Sequence, residues 1–119
     1  MALRSRPAEC CPTVRNPLEL TTPTRDRLVA IYRALGDVTR FEIFRLIAAQ
    51  TDPICVCDVV DRFELTQPTI SYHLKLLRQA GLVTVSQRGV WAYYAVDTEG
   101  LRLLQENAVF PEARVRAVT

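Results

Sequence analysis

Four cysteines are the residues best suited to chemistry in this chain: Cys10 and Cys11 are adjacent, and Cys55 and Cys57 flank a single valine. Thiolates are soft donors that select thiophilic ions, whereas magnesium and calcium seek oxygen. Three thiolates satisfy trivalent arsenic or antimony. Four suit cadmium, lead or zinc in a tetrahedral site. An adjacent pair does not easily take two corners of a regular tetrahedron, and the pyramidal site of arsenic is more forgiving. This favours Cys10, Cys11 and Cys55 as ligands, with Cys57 as a fourth. Cys55 and Cys57 project to one side of an extended segment but lie ~200° apart on a helix. Both can hold one ion only where a helix start is unwound. The competing role for either is that of a small buried apolar residue. A thiol redox switch is a further alternative, since cysteines near Arg15 or a helix N-terminus oxidise readily. A vicinal Cys10–Cys11 disulfide would be strained.

The rest of the composition narrows the function classes. The chain has 119 residues, a net charge of +2 and 49% hydrophobic residues, which suits one small packed domain. A core of that size gains from a dimer interface. From Leu65 to Val96 there is no acid, but there are Lys75, Arg78 and Arg88, a distribution that suits a polyanion partner. The start carries no secretory-type apolar stretch, and the longest apolar run, Val90 to Val96, is too short to span a membrane. A cytoplasmic protein is expected, whose thiols stay reduced and serve as ligands or redox groups. No Cys/His pair, phosphate loop or paired carboxylate frame suggests an enzyme, and no small organic substrate is expected.

The elements that must position these residues follow from punctuation and period. Residues 1–22 read as a proline-interrupted polar arm, and 110–119 as a tail. A domain over 23–109 lies between them. A first helix is expected from Thr22, as N-cap, and Pro23 to Leu35, ended by Gly36. Asp37 caps a second through Ala49, with Val38, Phe41, Phe44, Ile47 and Ala48 inward. A short third helix covers Cys57 to Phe63, burying Val59, Val60 and Phe63. Thr66 caps a fourth over Gln67 to Ala80, buried through Ile70, Leu74 and Leu77 and closed by Gly81. The period then becomes two: Leu82 to Gln87, an Arg88–Gly89 turn, and Val90 to Val96 make a hairpin. A last helix runs from Thr98 to Ala108. The fold class is thus mainly α with a small β-hairpin, a winged helix-turn-helix.

The fourth helix presents Gln67, Thr69, Ser71, Tyr72, His73 and Lys75 in its first two turns, with no acid among them. Gln pairs with adenine, Lys with guanine or phosphate, and hydroxyls with either. Thr66 and the free N–H groups at the helix start can hold a phosphate. Arg88 at the hairpin tip can meet a phosphate or the minor groove. His73, the only histidine, reads as DNA-facing or partly buried rather than as a ligand.

These residues carry a resemblance. Ala34-Leu35-Gly36-Asp37, Thr39-Arg40, the run Leu65-Thr66-Gln67-Pro68-Thr69-Ile70-Ser71-Tyr72-His73-Leu74-Lys75-Leu76-Leu77, and Ala80-Gly81-Leu82-Val83 look like the ArsR/SmtB family of metal-sensing repressors, over about residues 24–105. The resemblance implies a homodimer joined by first and last helices, with a recognition helix from each subunit in the major groove of a palindromic operator. It also implies release from DNA on metal binding. Ile54-Cys55-Val56-Cys57-Asp58 is similar to the motif of arsenic-, cadmium- and lead-responsive members, in which arm cysteines reach across from the other subunit. Zinc and nickel sensors of the family often use Asp and His on the last helix. Residues 98–119 have neither.

Overall fold

In a computed structural model of the chain, residues 17 and 19–108 are described. Cys10 and Cys11, most of the expected arm and the expected tail fall outside them. Among the described residues five helices and three strands follow in the order α1 (Thr22–Leu35), α2 (Val38–Ala48), β1 (Ile54–Cys55), α3 (Val56–Arg62), α4 (Gln67–Gln79), β2 (Val83–Arg88), β3 (Trp91–Val96) and α5 (Thr98–Asn107). No helix among the described residues is long and apolar enough to cross a membrane.

Side-chain caps define most helix starts. Asp37 accepts the N–H of Arg40 at α2, Thr66 that of Thr69 at α4, and Asp97 those of Glu99 and Gly100 at α5. At α1 the cap is Thr21 rather than Thr22, so Pro23 sits one position deeper, still within the first turn where its missing donor costs nothing. Gly81, with φ of 80°, closes α4 in the left-handed region that glycine tolerates.

The core is one cluster. Ile31 of α1, Ile43 and Ile47 of α2, Val59 of α3, Ile70, Leu74 and Leu77 of α4, and Leu82 and Val83 at the strand entry are all essentially inaccessible. Within α2 the inward stripe differs from the sequence expectation. Ile43, Phe44 and Ile47 are buried, whereas Val38 and Phe41 are 80% and 45% exposed and Ala48 is also exposed. Both stripes have helical spacing. The face taken is the one that meets α1, α4 and β3.

The hairpin turn lies at Gly89–Val90, one residue later than expected, because Arg88 still pairs with Trp91. Gly89 supplies the positive φ, 64°. β1, which the period analysis does not find, joins β3 antiparallel through Ile54↔Tyr94 and Cys55↔Tyr93, giving the sheet order β1-β3-β2. Two residues carry no periodicity of their own, and only the non-local partner makes them a strand.

Candidate functional site

α4 is held by three buried aliphatic side chains on its inner face, Ile70, Leu74 and Leu77. That anchoring leaves the opposite face of its first two turns open. Gln67, Ser71 and Tyr72 are exposed there, and Lys75 and Arg78 extend the cationic side toward the C-terminus. Thr66 and Thr69 serve the helix itself: their hydroxyls lie 2.9 Å apart, and the Thr66 oxygen accepts the Thr69 N–H. A flat, acid-free helix end of this kind can lie in a groove and donate hydrogen bonds to base edges and phosphates.

His73 is set apart from the other five residues. Its side chain is only 13% exposed and turns toward the start of α2. Nδ1 lies 3.3 Å from Nη1 of Arg40 and 4.0 Å from Oδ2 of Asp37. One ring nitrogen cannot accept and donate at once, and 4.0 Å exceeds hydrogen-bond range. Arginine can only donate, so a hydrogen bond between the guanidinium and His73 requires the ring tautomer in which Nδ1 accepts. Nε of the same guanidinium donates to the carbonyl of Ala34 at 2.8 Å. The N–H of Arg40 donated to Asp37 and its positive charge hold that carboxyl below its ordinary value, partial burial opposing them.

Arg40 carries no local signal of a site residue. Thr39-Arg40 stood out only through the family resemblance, because its partners lie six and thirty-three positions away.

Arg88 is exposed at the last position of β2, and its guanidinium stacks on the ring of Tyr93 at 4.6 Å. A cation–π contact of this type fixes the direction of an exposed charge. Beside it Val90 and Trp91 are exposed at the turn.

The two described cysteines meet at the junction of β1 and α3. Cys55, 6% exposed, is the N-cap of α3, and its sulfur accepts the N–H of Cys57 at 3.4 Å. The helix therefore begins at Val56, and Cys55 keeps the extended backbone of a strand. Cys57 is exposed within the first turn. The pKa of its thiol is raised above the ordinary value, first by a side-chain interaction with the Cys55 thiol, then by partial desolvation and the charges of Cys55 and Asp58. Two soft donors thus share one helix start, and both are free thiols. Among the described residues no group of three or more His, Cys, Asp or Glu could hold a metal ion. A complete site needs donors beyond these two.

Comparison with known proteins agrees with this geometry. Residues 37–85 match the family described as "Bacterial regulatory protein, arsR family". The chain is 43% identical over 77 residues to the arsenical resistance operon repressor of Bacillus subtilis, covering 64% of this chain and 72% of that one. It is 32% identical over 88 residues to a cadmium resistance transcriptional regulatory protein homologue of Staphylococcus aureus, covering 74% and 72%. The fold matches the homodimeric winged helix-turn-helix DNA-binding domain of a possible ArsR-family regulator from Mycobacterium bovis, with a TM-score of 0.62 at 21% identity over 78% of this chain and 85% of that one. The chain is a winged helix-turn-helix protein and belongs to the ArsR family of bacterial regulatory proteins, which are transcriptional regulators and not enzymes.

Proposed function

We propose that this regulator is a cytoplasmic repressor that binds double-stranded operator DNA as a homodimer and is released when trivalent arsenic or antimony is taken up by its cysteine thiolates. Residues 23–109 form the DNA-binding and dimerisation domain, and the arm 1–22 supplies Cys10 and Cys11 to Cys55 and Cys57. The operator is read by Gln67, Ser71, Tyr72 and Lys75, with Thr66 and Thr69 at the helix start, Arg88 on the hairpin, and His73 beneath.

The observation that carries this reading is the double duty of Cys55. Its sulfur caps α3, and α3 packs on α4. An ion bound to the Cys55 sulfur fixes where that sulfur sits, and the Cys57 N–H bonded to it must follow. Ligation and capping are thereby coupled at the helix start beside the DNA-reading element. The similarity to an arsenical resistance repressor supports the choice of ion.

A second reading has its own support. The similarity to a cadmium resistance regulator favours a four-thiolate divalent site for cadmium, lead or zinc. Titration of reduced, metal-free protein on its own promoter DNA separates the two, with anisotropy and thiolate–metal ultraviolet absorption followed together. Release by arsenite at one ion per subunit, abolished in Cys10→Ser, is expected. Release by cadmium and not by arsenite moves the assignment to the divalent site. Release by peroxide alone replaces both with a thiol redox switch.

A further inference from the structure

We infer that Arg40 is a positioning residue for DNA reading: bonded to Ala34 on one side and His73 on the other, it sets the recognition helix against the end of α1 and, through the His73 ring, orients Tyr72. This rests on the DNA-binding reading of α4 and adds to it a residue outside the contact surface.

Three elements meet at this guanidinium. α1 ends at Leu35, and the carbonyl of Ala34 is one of the groups a helix end leaves without an intrahelical partner. Arg40 satisfies it at 2.8 Å from the first turn of α2. The same planar fork reaches His73 in the second turn of α4 at 3.3 Å. Arginine can donate from Nε and Nη1 together because its donors are rigidly disposed, and lysine cannot. The aliphatic anchors of α4 set its depth in the core, but the hydrophobic effect itself is non-directional. A directional bond from Arg40 to His73 adds a defined angular position.

The constraint continues one residue further. The His73 ring meets the Tyr72 ring edge-on, with centroids 5.7 Å apart and planes at 61°. Tyr72 is 57% exposed on the face directed at DNA. Rings that pack in this geometry restrict one another's rotamers. His73 therefore acts behind Tyr72 rather than on the nucleic acid.

Affinities for the promoter duplex and for a scrambled duplex of equal length test this, measured on the full chain across a salt series. The ratio of the two affinities is insensitive to the fraction of folded protein. His73→Leu is expected to lower that ratio by about ten-fold, the size of effect typical of directly coupled pairs, with the salt slope unchanged. His73→Asn keeps an acceptor near the place of Nδ1 and is expected to recover most of the ratio. Arg40→Gln is expected to lower it similarly, and Arg40→Gln with His73→Leu to be no worse than His73→Leu alone. Because His73 is the only histidine, its ring nitrogens give a single set of NMR signals, and Arg40→Gln is expected to shift Nδ1 without DNA present. Additive losses in the double variant, a shallower salt slope in His73→Leu, or an unmoved Nδ1 signal would overturn the assignment. A wild-type chain that prefers neither duplex would instead overturn the DNA-binding reading, and this inference with it.

Discussion

The sulfur of Cys55 accepts the backbone N–H of Cys57 at 3.4 Å, so one cysteine of the Cys-Val-Cys motif caps the helix on which the other rides. The two thiols are thereby unequal, one buried and engaged, the other exposed.

That inequality predicts reactivity. A side-chain interaction between the two thiols, separate from the N–H bond that caps the helix, raises the Cys57 pKa, so at neutral pH Cys57 is less ionised than an ordinary thiol and a slower nucleophile despite its exposure. Its alkylation by iodoacetamide is expected to accelerate only as pH rises above the ordinary thiol range. Cys55→Ala removes that interaction and is expected to speed alkylation of Cys57 at fixed neutral pH. Peptide mapping by mass spectrometry reads both rates.

Capping and ligation are separable by choice of substitution. Serine is a good N-cap and a poor soft ligand, whereas alanine is neither. Cys55→Ser is expected to melt within a few degrees of wild type and to lose the ion response. Cys55→Ala is expected to lose the response and in addition about 0.5–1 kcal/mol of stability, the lower part of the capping range, since sulfur is a weak acceptor. Urea denaturation with a parallel anisotropy titration distinguishes the two effects.

Asp37 predicts an acid-side dependence. Its folded pKa is depressed, chiefly by the Arg40 N–H, so its contribution is present above the unfolded carboxylate pKa and is lost as pH falls through the lowered folded value. Asp37→Asn keeps a cap without the charge and is expected to flatten the stability profile over that acidic window. Asp37→Ala is expected to cost about 1 kcal/mol at neutral pH. Urea midpoints measured from neutral to acid pH test both.

Gly100 predicts a packing limit. It is the buried position in the first turn of α5, and a Cβ there would overlap the carbonyl of Gly81. Backbone cannot yield as a side-chain end can. Gly100→Ala is expected to destabilise by about 1–3 kcal/mol. At Gly81 a Cβ meets nothing within 4 Å, and the expected cost of Gly81→Ala is about 1–2 kcal/mol from its positive φ alone. Thermal melts of the two variants, with the dimer content of each by ultracentrifugation, compare a steric cost with a conformational one.

What was legible in the sequence is what local chemistry decides. Asp37 and Thr66 as caps, Gly81 as terminator, and Ile70, Leu74 and Leu77 as the buried stripe of α4 each depend on neighbours within a turn. The switch from period 3.6 to period two marked the hairpin for the same reason. Where several local answers were equivalent, tertiary contacts chose. Val38 and Phe41 had the spacing of a core face, yet the surrounding elements took Ile43 alongside the expected Phe44 and Ile47. β1 exists only because Tyr93 and Tyr94 lie opposite it. The exposed polar face of α4, the proposed DNA contact, could be read from residue type. The inward turn of His73 could not, since it depends on Arg40 thirty-three positions earlier.

Cys55 is paired in register with Tyr93, and Tyr93 carries the guanidinium of Arg88 on its ring. The residue that opens α3 is therefore also stitched to the wing. A shift of its backbone cannot be absorbed by the helix pair alone, because the sheet shares the same peptide. The two arms of the proposed DNA-contact surface, helix and hairpin, thus share one tooth, and a displacement of Cys55 is expected to be felt in both.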